Sequence, residues 1–288
     1  MIYNKQIHWN IGGAFSKYDS IMDFFKKNEL FNKYKKITVY DGVENCIWNG
    51  GRLHKYTPVI DSYIEQYYSL GWGINLTFTN STIDINDPLG NHLLNKFHKK
   101  GNGIILVNET LKNYIRKNFP KYNLIYSITG CGLLNGYPMK NKDLYFYKNK
   151  QKEYDMIVPR CESTFDDKLR ELNKDKIEIL VSDTCILNCP FFHDHFHQIN
   201  QNNLKHKDAS SKELNAIGEC WIDKKEFKRI TSFEKKAMGS KYPFYLKPSQ
   251  IKSLVQEGFS TFKIQGREAS TDDFIYDLNR FLIDYDRL

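Results

Sequence analysis

Residues 176–197, KIEILVSDTCILNCPFFHDHFH, set a short apolar run, 177–181, ahead of two cysteines, Cys185 and Cys189, and three alternating histidines, His193, His195 and His197. A run of this length without polar interruption reads as a strand buried on both faces. Metal-ligating residue types just past its carboxyl end read as a site carried on the following loop. Similar runs occur at 7–11, 36–40, 73–78, 103–107, 124–128, 156–158 and 261–264, and all are read as continuous rather than alternating. Between them lie helical patterns such as 18–34, 58–70, 91–100, 109–119 and 164–173. Strands and helices alternating in this way predict a (β/α)8 barrel of the TIM type spanning 1–288 as a single domain.

A doubly wound open sheet is the competing architecture, but the first strand leads only to Gly12 and Gly13, without a dinucleotide-binding turn. The repeat spacing breaks once, between 181 and 261, where a normal connection is far shorter. The excess, 190–242, carries Cys220 in a Gly-Glu-Cys-Trp context and reads as a cap over the carboxyl-terminal face of the barrel; for 200–214 a disordered surface insertion is the alternative.

The chain has 288 residues, 41% of them hydrophobic, so it can bury a full core, and its formal charge of +8 favours an anionic partner over a cationic one. Nucleic acid, a phosphorylated sugar or a carboxylate substrate would each serve, beside the plainer reading of a soluble basic protein. The start, MIYNKQIHWNIGG, lacks a signal-peptide core, and no apolar run is long enough to span a bilayer, so a cytoplasmic protein with no membrane partner is expected. Six cysteines in a reducing compartment point to metal binding or catalysis rather than to disulfides.

Loops after barrel strands carry chemistry. Here they hold Asp41, Cys46 and WNGGR ending at Arg52 after the second strand, and Thr79 and Asn80 after the third. Thr129 and Cys131 follow the fifth, Arg160, Cys161 and Glu162 the sixth, and Gln265, Gly266, Arg267 and Glu268 the eighth. Cys185, Cys189 and Cys220 form a donor set for a soft metal. An iron–sulfur cluster is one occupant; zinc held by three cysteines and a histidine is the other. Cys46, Cys131 and Cys161 read individually as ordinary buried thiols. The histidine run has three readings: metal ligands, a proton relay or a solvated loop. Arg52, Lys263 and Arg267 suit a pocket for a carboxylate or phosphate, with Asn80 a further substrate-binding candidate. Lys263 has a second reading, as a barrel-lining residue paired with an acid. His195 or Glu162 would move protons. Basic clusters at 96–100 and 112–121 fall on predicted helices, as solvated faces or, if aligned, as a nucleic-acid surface. A hydrolase reading finds neither HExxH nor GxSxG in its favour.

The stretch ILVSDTCILNCPFFHDHF resembles the strand, cysteine, Cys-Pro and His-aromatic pattern of the collagenase-like peptidase family U32, at Cys185, Cys189, Pro190, His195 and Phe196. Cys220 stands where a third cysteine is expected. YLKPSQIKSLVQEGFSTFKIQGRE is similar to the family's ending, at Lys247, Pro248, Gly258, Phe262, Lys263, Ile264, Gly266 and Arg267. VYDGVENCIWNGGR, FTNSTI and VNETLKNYIRKNFP look like an uncharacterised branch. The resemblance implies a TIM-type barrel with a 4Fe-4S cluster. It further implies oxygen-independent hydroxylation of tRNA, ribosomal RNA or a quinone precursor, with prephenate as oxygen donor in some relatives, and a heteromeric partner in others. Two departures stand out: Phe192 replaces an expected Arg, and only three cysteine ligands are assigned where relatives have four. Cys161, Cys46 or Cys131 would supply the fourth, or an iron would stay open to substrate. A metal-dependent hydrolase, and a non-catalytic RNA-binding or assembly partner with a structural cluster, are the alternative functions.

Overall fold

The computed structural model describes residues 7–34, 36–43, 45–50, 59–183, 189, 191–205, 244–266 and 269–284. Its strands are β1 (His8–Gly12), β2 (Lys36–Asp41), β3 (Gly73–Phe78), β4 (Gly103–Leu106), β5 (Asn123–Tyr126), β6 (Met156–Ile157), β7 (Glu178–Leu180) and β8 (Thr261–Ile264). They form one sheet in the order β6-β5-β4-β3-β2-β1-β8-β7, all pairs parallel. A parallel bridge from Ile157 to Ile177 joins its two ends. The sheet therefore closes, and the expected TIM-type (β/α)8 barrel is the fold.

The expectation of uniformly apolar strands is corrected. Trp9, Ile11, Ile37, Val39, Ile74, Leu76, Phe262 and Ile264 alternate with Asn10, Thr38, Asn75 and Lys263, all buried. The register sets Asn10 level with Thr38 on one side and with Lys263 on the other. These polar side chains fill the lumen, because they bond to strands that are not their neighbours. Asn10 Nδ2 donates to Glu178 Oε1 at 2.7 Å, past β8, and Asn75 Nδ2 donates to Asn10 Oδ1 at 3.4 Å, past β2. Thr38 Oγ1 donates to Asn10 Oδ1 at 3.0 Å, and Lys263 Nζ lies 3.6 Å from Glu178 Oε2. The apolar face is left for the helices, where most of the transfer free energy is gained.

Those helices are α1 (Tyr18–Lys27), α2 (Asp61–Ser69), α3 (Pro88–Lys96), α4 (Glu109–Asn118), α5 (Asn141–Glu153), α6 (Asp167–Arg170), α7 (Phe192–Lys205), α8 (Pro248–Gln256) and α9 (Thr271–Leu278). Helix α1 buries Ile21, Phe24 and Phe25 and stops well short of residue 34. Its chain turns at Glu29, whose φ of 56° is left-handed, and Leu30 N returns to Phe25 O at 2.9 Å. Helix α3 begins on Asp87, whose carboxylate accepts from Gly90 N at 2.7 Å with Pro88 in the first turn. Asn108 caps α4 in the same way, accepting from Leu111 N at 2.9 Å. The helix expected over 164–173 is instead a 3-10 turn, Cys161–Phe165, and the single turn α6. Helix α5 gave no amphipathic signal, since NKDLYFYKNKQKE reads as polar and buries only Asp143, Leu144, Tyr147 and Gln151.

The basic clusters lie on outer faces and are partly neutralised. Lys96 pairs with Asp61, Lys112 with Glu109 and Glu153 at 2.5 and 3.1 Å, and Arg116 with Asp155 at 2.8 Å. Among the described residues no helix is long and apolar enough to cross a membrane.

At the floor of the lumen, His8 Nε2 meets Thr38 Oγ1 at 3.0 Å. Because that hydroxyl donates its hydrogen to Asn10, the histidine nitrogen must carry the proton it shares with Thr38. Burial pushes the imidazole below its ordinary value, outweighing the opposing pull of Glu178. The unfolded chain then takes up a proton in a range where the folded chain does not, so stability falls as pH drops through the ordinary histidine range. Thermal melts from about pH 7 to about pH 5 should show this fall, and His8→Gln should flatten it; an unchanged slope would show that His8 does not carry it.

Candidate functional site

Past β7 the chain holds Ser182 and Asp183, and Asp183 N donates to Phe244 O at 2.7 Å, tying the strand end to the segment that leads into α8. Cys189 is half-buried, and α7 follows. On this helix the alternating histidines separate. His193 and His197, one turn apart, stack with ring centroids 6.4 Å from each other on the exposed side. His195 faces the other way and is 4% exposed, in a buried stripe with Phe192, Ile199 and Asn200. A period of two cannot keep three residues on one face of a helix with 3.6 residues per turn.

Helix α7 does not run down the outside of the barrel. At its start, Phe192 lies over the guanidinium of Arg160, after β6, with 4.1 Å from ring centroid to Cζ. Gly132, after β5, touches the backbone of His193 so closely that a Cβ there would sit 2.7 Å from His193 Cα. At its far end, Asn80 Nδ2 donates to Asn200 O at 3.3 Å, Asn200 Nδ2 to Ser81 Oγ at 3.1 Å and Gln201 Nε2 to Thr82 Oγ1 at 3.2 Å. These partners follow β3. From Phe192 to Gln201, at 1.5 Å per residue, the helix covers about 14 Å and so lies across the mouth from the loops after β5 and β6 to the loop after β3.

Asn80 belongs to this junction. Besides Asn200, its amide donates to Ile47 O at 3.1 Å, and its carbonyl accepts from Thr82 N at 2.9 Å. The preceding loop presses on the same place: a Cβ on Gly50 would lie 2.4 Å from Thr79 O, which accounts for a glycine in the WNGGR segment. Trp48 holds the loop from the other side, donating from Nε1 to Asp84 O at 2.7 Å.

Glu162 is likewise engaged. Arg160 Nε and Nη2 donate to its two oxygens at 3.2 and 2.8 Å, and both side chains are buried. Beside this pair, Cys161 Sγ donates to Asp183 Oδ2 at 3.4 Å. Burial pushes the thiols of Cys46 and Cys131 up to about 12, and Cys131 Sγ faces the carbonyls of Ser127 and Val158 at 4.0 and 3.8 Å. Neither environment suits a thiolate. Lys263 lies deeper, its ammonium beside Glu178 and 4.1 Å from the centroid of the Tyr40 ring.

The mouth thus brings together Cys161, Glu162, His195 and Asn80, while Lys263 belongs to the lumen layer. Arg52, Arg267, Cys185 and Cys220 lie outside the described residues. Among the described residues no three His, Cys, Asp or Glu side chains converge as a metal group. Of the expected ligands Cys189 alone can be placed, and a half-buried thiol between β7 and α7 fits a thiolate ligand in chemistry and position. Sequence reasoning gave no role to Arg160 or to Glu178; the signal for Arg160 was its place beside Cys161 and Glu162 just past a strand.

No family model and no curated protein matches the chain. Among solved structures it is similar to that of the U32 peptidase Mk0906, with 8% identity and a TM-score of 0.50 over 91% of this chain and 93% of that one. At this identity the likeness is one of fold, a U32-like barrel.

Replacing Asn80 by Ala removes an amide that holds two loops and α7, leaving Asn200 O and Ile47 O without that donor. It should cost roughly 1–3 kcal/mol, read as a lowered denaturation midpoint with unchanged m-value.

Proposed function

We propose that the mouth of this barrel is the active site of an iron–sulfur enzyme. Cys185, Cys189 and Cys220 are its thiolate ligands, and its reaction is an oxygen-independent, hydroxylase-like modification of an anionic substrate, RNA or a small molecule. The observation that carries this reading is the placement of Cys161, Cys189 and the buried His195 past the carboxyl ends of β6 and β7, at the end of the barrel that α7 crosses. When bound, such a cluster supplies redox chemistry or an iron open to substrate.

Cys161 is the best fourth ligand among the remaining cysteines, since its thiol already faces Asp183, just past β7 and two residues before Cys185 in sequence. Of the two proton carriers expected from sequence, His195 is favoured. Glu162 is held by Arg160, and a carboxylate bound at both oxygens is a poor base. Arg52 and Arg267 remain the anion-binding candidates. Lys263 contributes positive potential from below, where Glu178 offsets part of it. Leu133, Tyr137, Phe165 and Phe191 are exposed on the loops after β5, β6 and β7. An aromatic rim of this kind suits stacking on bases, which favours RNA as acceptor; the same rim would serve a heteromeric partner chain.

A metal-dependent hydrolase is the second reading, favoured by the structural neighbour's being named a peptidase. Protein purified without oxygen separates the two. Broad absorption near 400 nm with about four iron and four sulfide per chain, both lost in Cys185→Ser, is the expected result. One zinc and no sulfide, with peptide cleavage by the homogeneous protein, would replace this proposal with the hydrolase.

A further inference from the structure

The Arg160–Glu162 pair has no evident reason to be buried on grounds of stability. Arg160 is 2% exposed, and a buried ion pair seldom outperforms apolar side chains of the same volume. What the pair offers is fixed geometry. Both oxygens of Glu162 hold the guanidinium edge, which fixes where the group meets the Phe192 ring, 4.1 Å from the ring centroid to Cζ. Phe192 is the first residue of α7.

Other described contacts bear on both ends of α7. Gly132 lets the helix lie close to the loop after β5 but adds no directional bond. The far end is held by neutral hydrogen bonds from Asn80, Asn200 and Gln201. Successive residues on a helix differ by about 100°, so a slip of one position at the near end would turn His195 away and bring a neighbour inward.

We propose that Arg160, fixed by Glu162, is the positioning residue of the mouth: through Phe192 it holds α7 in the rotation that keeps His195 turned into the barrel. The consequence for chemistry rests on the mouth being the active site, but the geometry stands apart from any cluster or turnover. Lysine cannot replace Arg160 here, because a point charge offers neither the two-pronged edge nor the flat face.

The test reads each histidine directly. Diethyl pyrocarbonate acylates accessible neutral imidazoles, and peptide mass spectrometry of the full chain resolves the sites. His193 and His197, exposed on the same helix, are internal references, and His8 in the lumen reports global unfolding. In the unsubstituted protein His195 is protected. Phe192→Leu keeps an apolar side chain and leaves the ion pair alone, yet should raise the rate at His195 about tenfold relative to His193. Arg160→Lys should do the same, and Phe192→Tyr, which keeps the ring, should restore protection. Acceleration at His195 with His8 still protected in Phe192→Leu, reversed in Phe192→Tyr, supports the proposal. Acceleration at neither histidine, or at both together, overturns it, whatever the metal content proves to be.

Discussion

The side-chain amide of Asn10 is the point on which the barrel closes. Its carbonyl accepts from Thr38 on β2 and Asn75 on β3, and its nitrogen donates to Glu178 on β7, which in turn faces Lys263 on β8. One residue on β1 thus binds three other strands through the lumen, and a fourth through Glu178. Buried amides and charges are tolerated only when their partners are in place. The lumen layer therefore requires one register: slipping a strand by one residue would bury its apolar face against amides and set its polar face against the helices. Closure and register are the same constraint here.

That layer also decides where chemistry can occur. A lumen filled by amides, a hydroxyl and an ion pair has its polar groups turned on one another, so the barrel is a packed plug rather than a channel. Lys263 shows the effect. From sequence it stood open to two readings, an anion-binding residue or a lining residue with an acidic partner, and Glu178 now provides that partner. The loops beyond the carboxyl ends, where Cys161, Asp183, Cys189 and His195 lie, stand outside that layer.

The strands could be read from the chain because their outward-facing rows are mostly apolar, and a (β/α)8 barrel follows from their number and spacing. The alternation was equally present in HWNIG, KITVYD, GINLTF and TFKI, but short runs dominated by β-branched and aromatic residues look continuous unless Asn, Thr and Lys are counted as interruptions. The histidine run misled in the opposite sense. Its period of two drew attention away from Phe192, Phe196 and Ile199, whose spacing is helical and whose burial in part defines α7. The partners of Asn80 could not be read from the chain, because hydrogen bonds to distant segments leave no mark in local sequence, whereas the partner of Glu162, Arg160, stood two residues away. For Arg52, Arg267, Cys185 and Cys220, which lie outside the described residues, the reading from sequence still stands alone.

Helix α7 is surplus to the barrel. The unit between β7 and β8 already has its own packing helix, α8, which buries Ile251 and Leu254 and leads directly into the last strand. A surplus helix must draw its stability from whatever it covers, and aliphatic residues along its buried stripe would serve that end best. Instead the stripe carries His195 and Asn200, with a buried arginine beneath its first residue. Each of these choices costs stability that leucine would have supplied, and all of them fall on one face, over one end of one barrel. Local rules are broken together in this way where a surface is shaped for chemistry rather than for folding. The cost is intelligible if His195 has to stand over the mouth in a fixed direction.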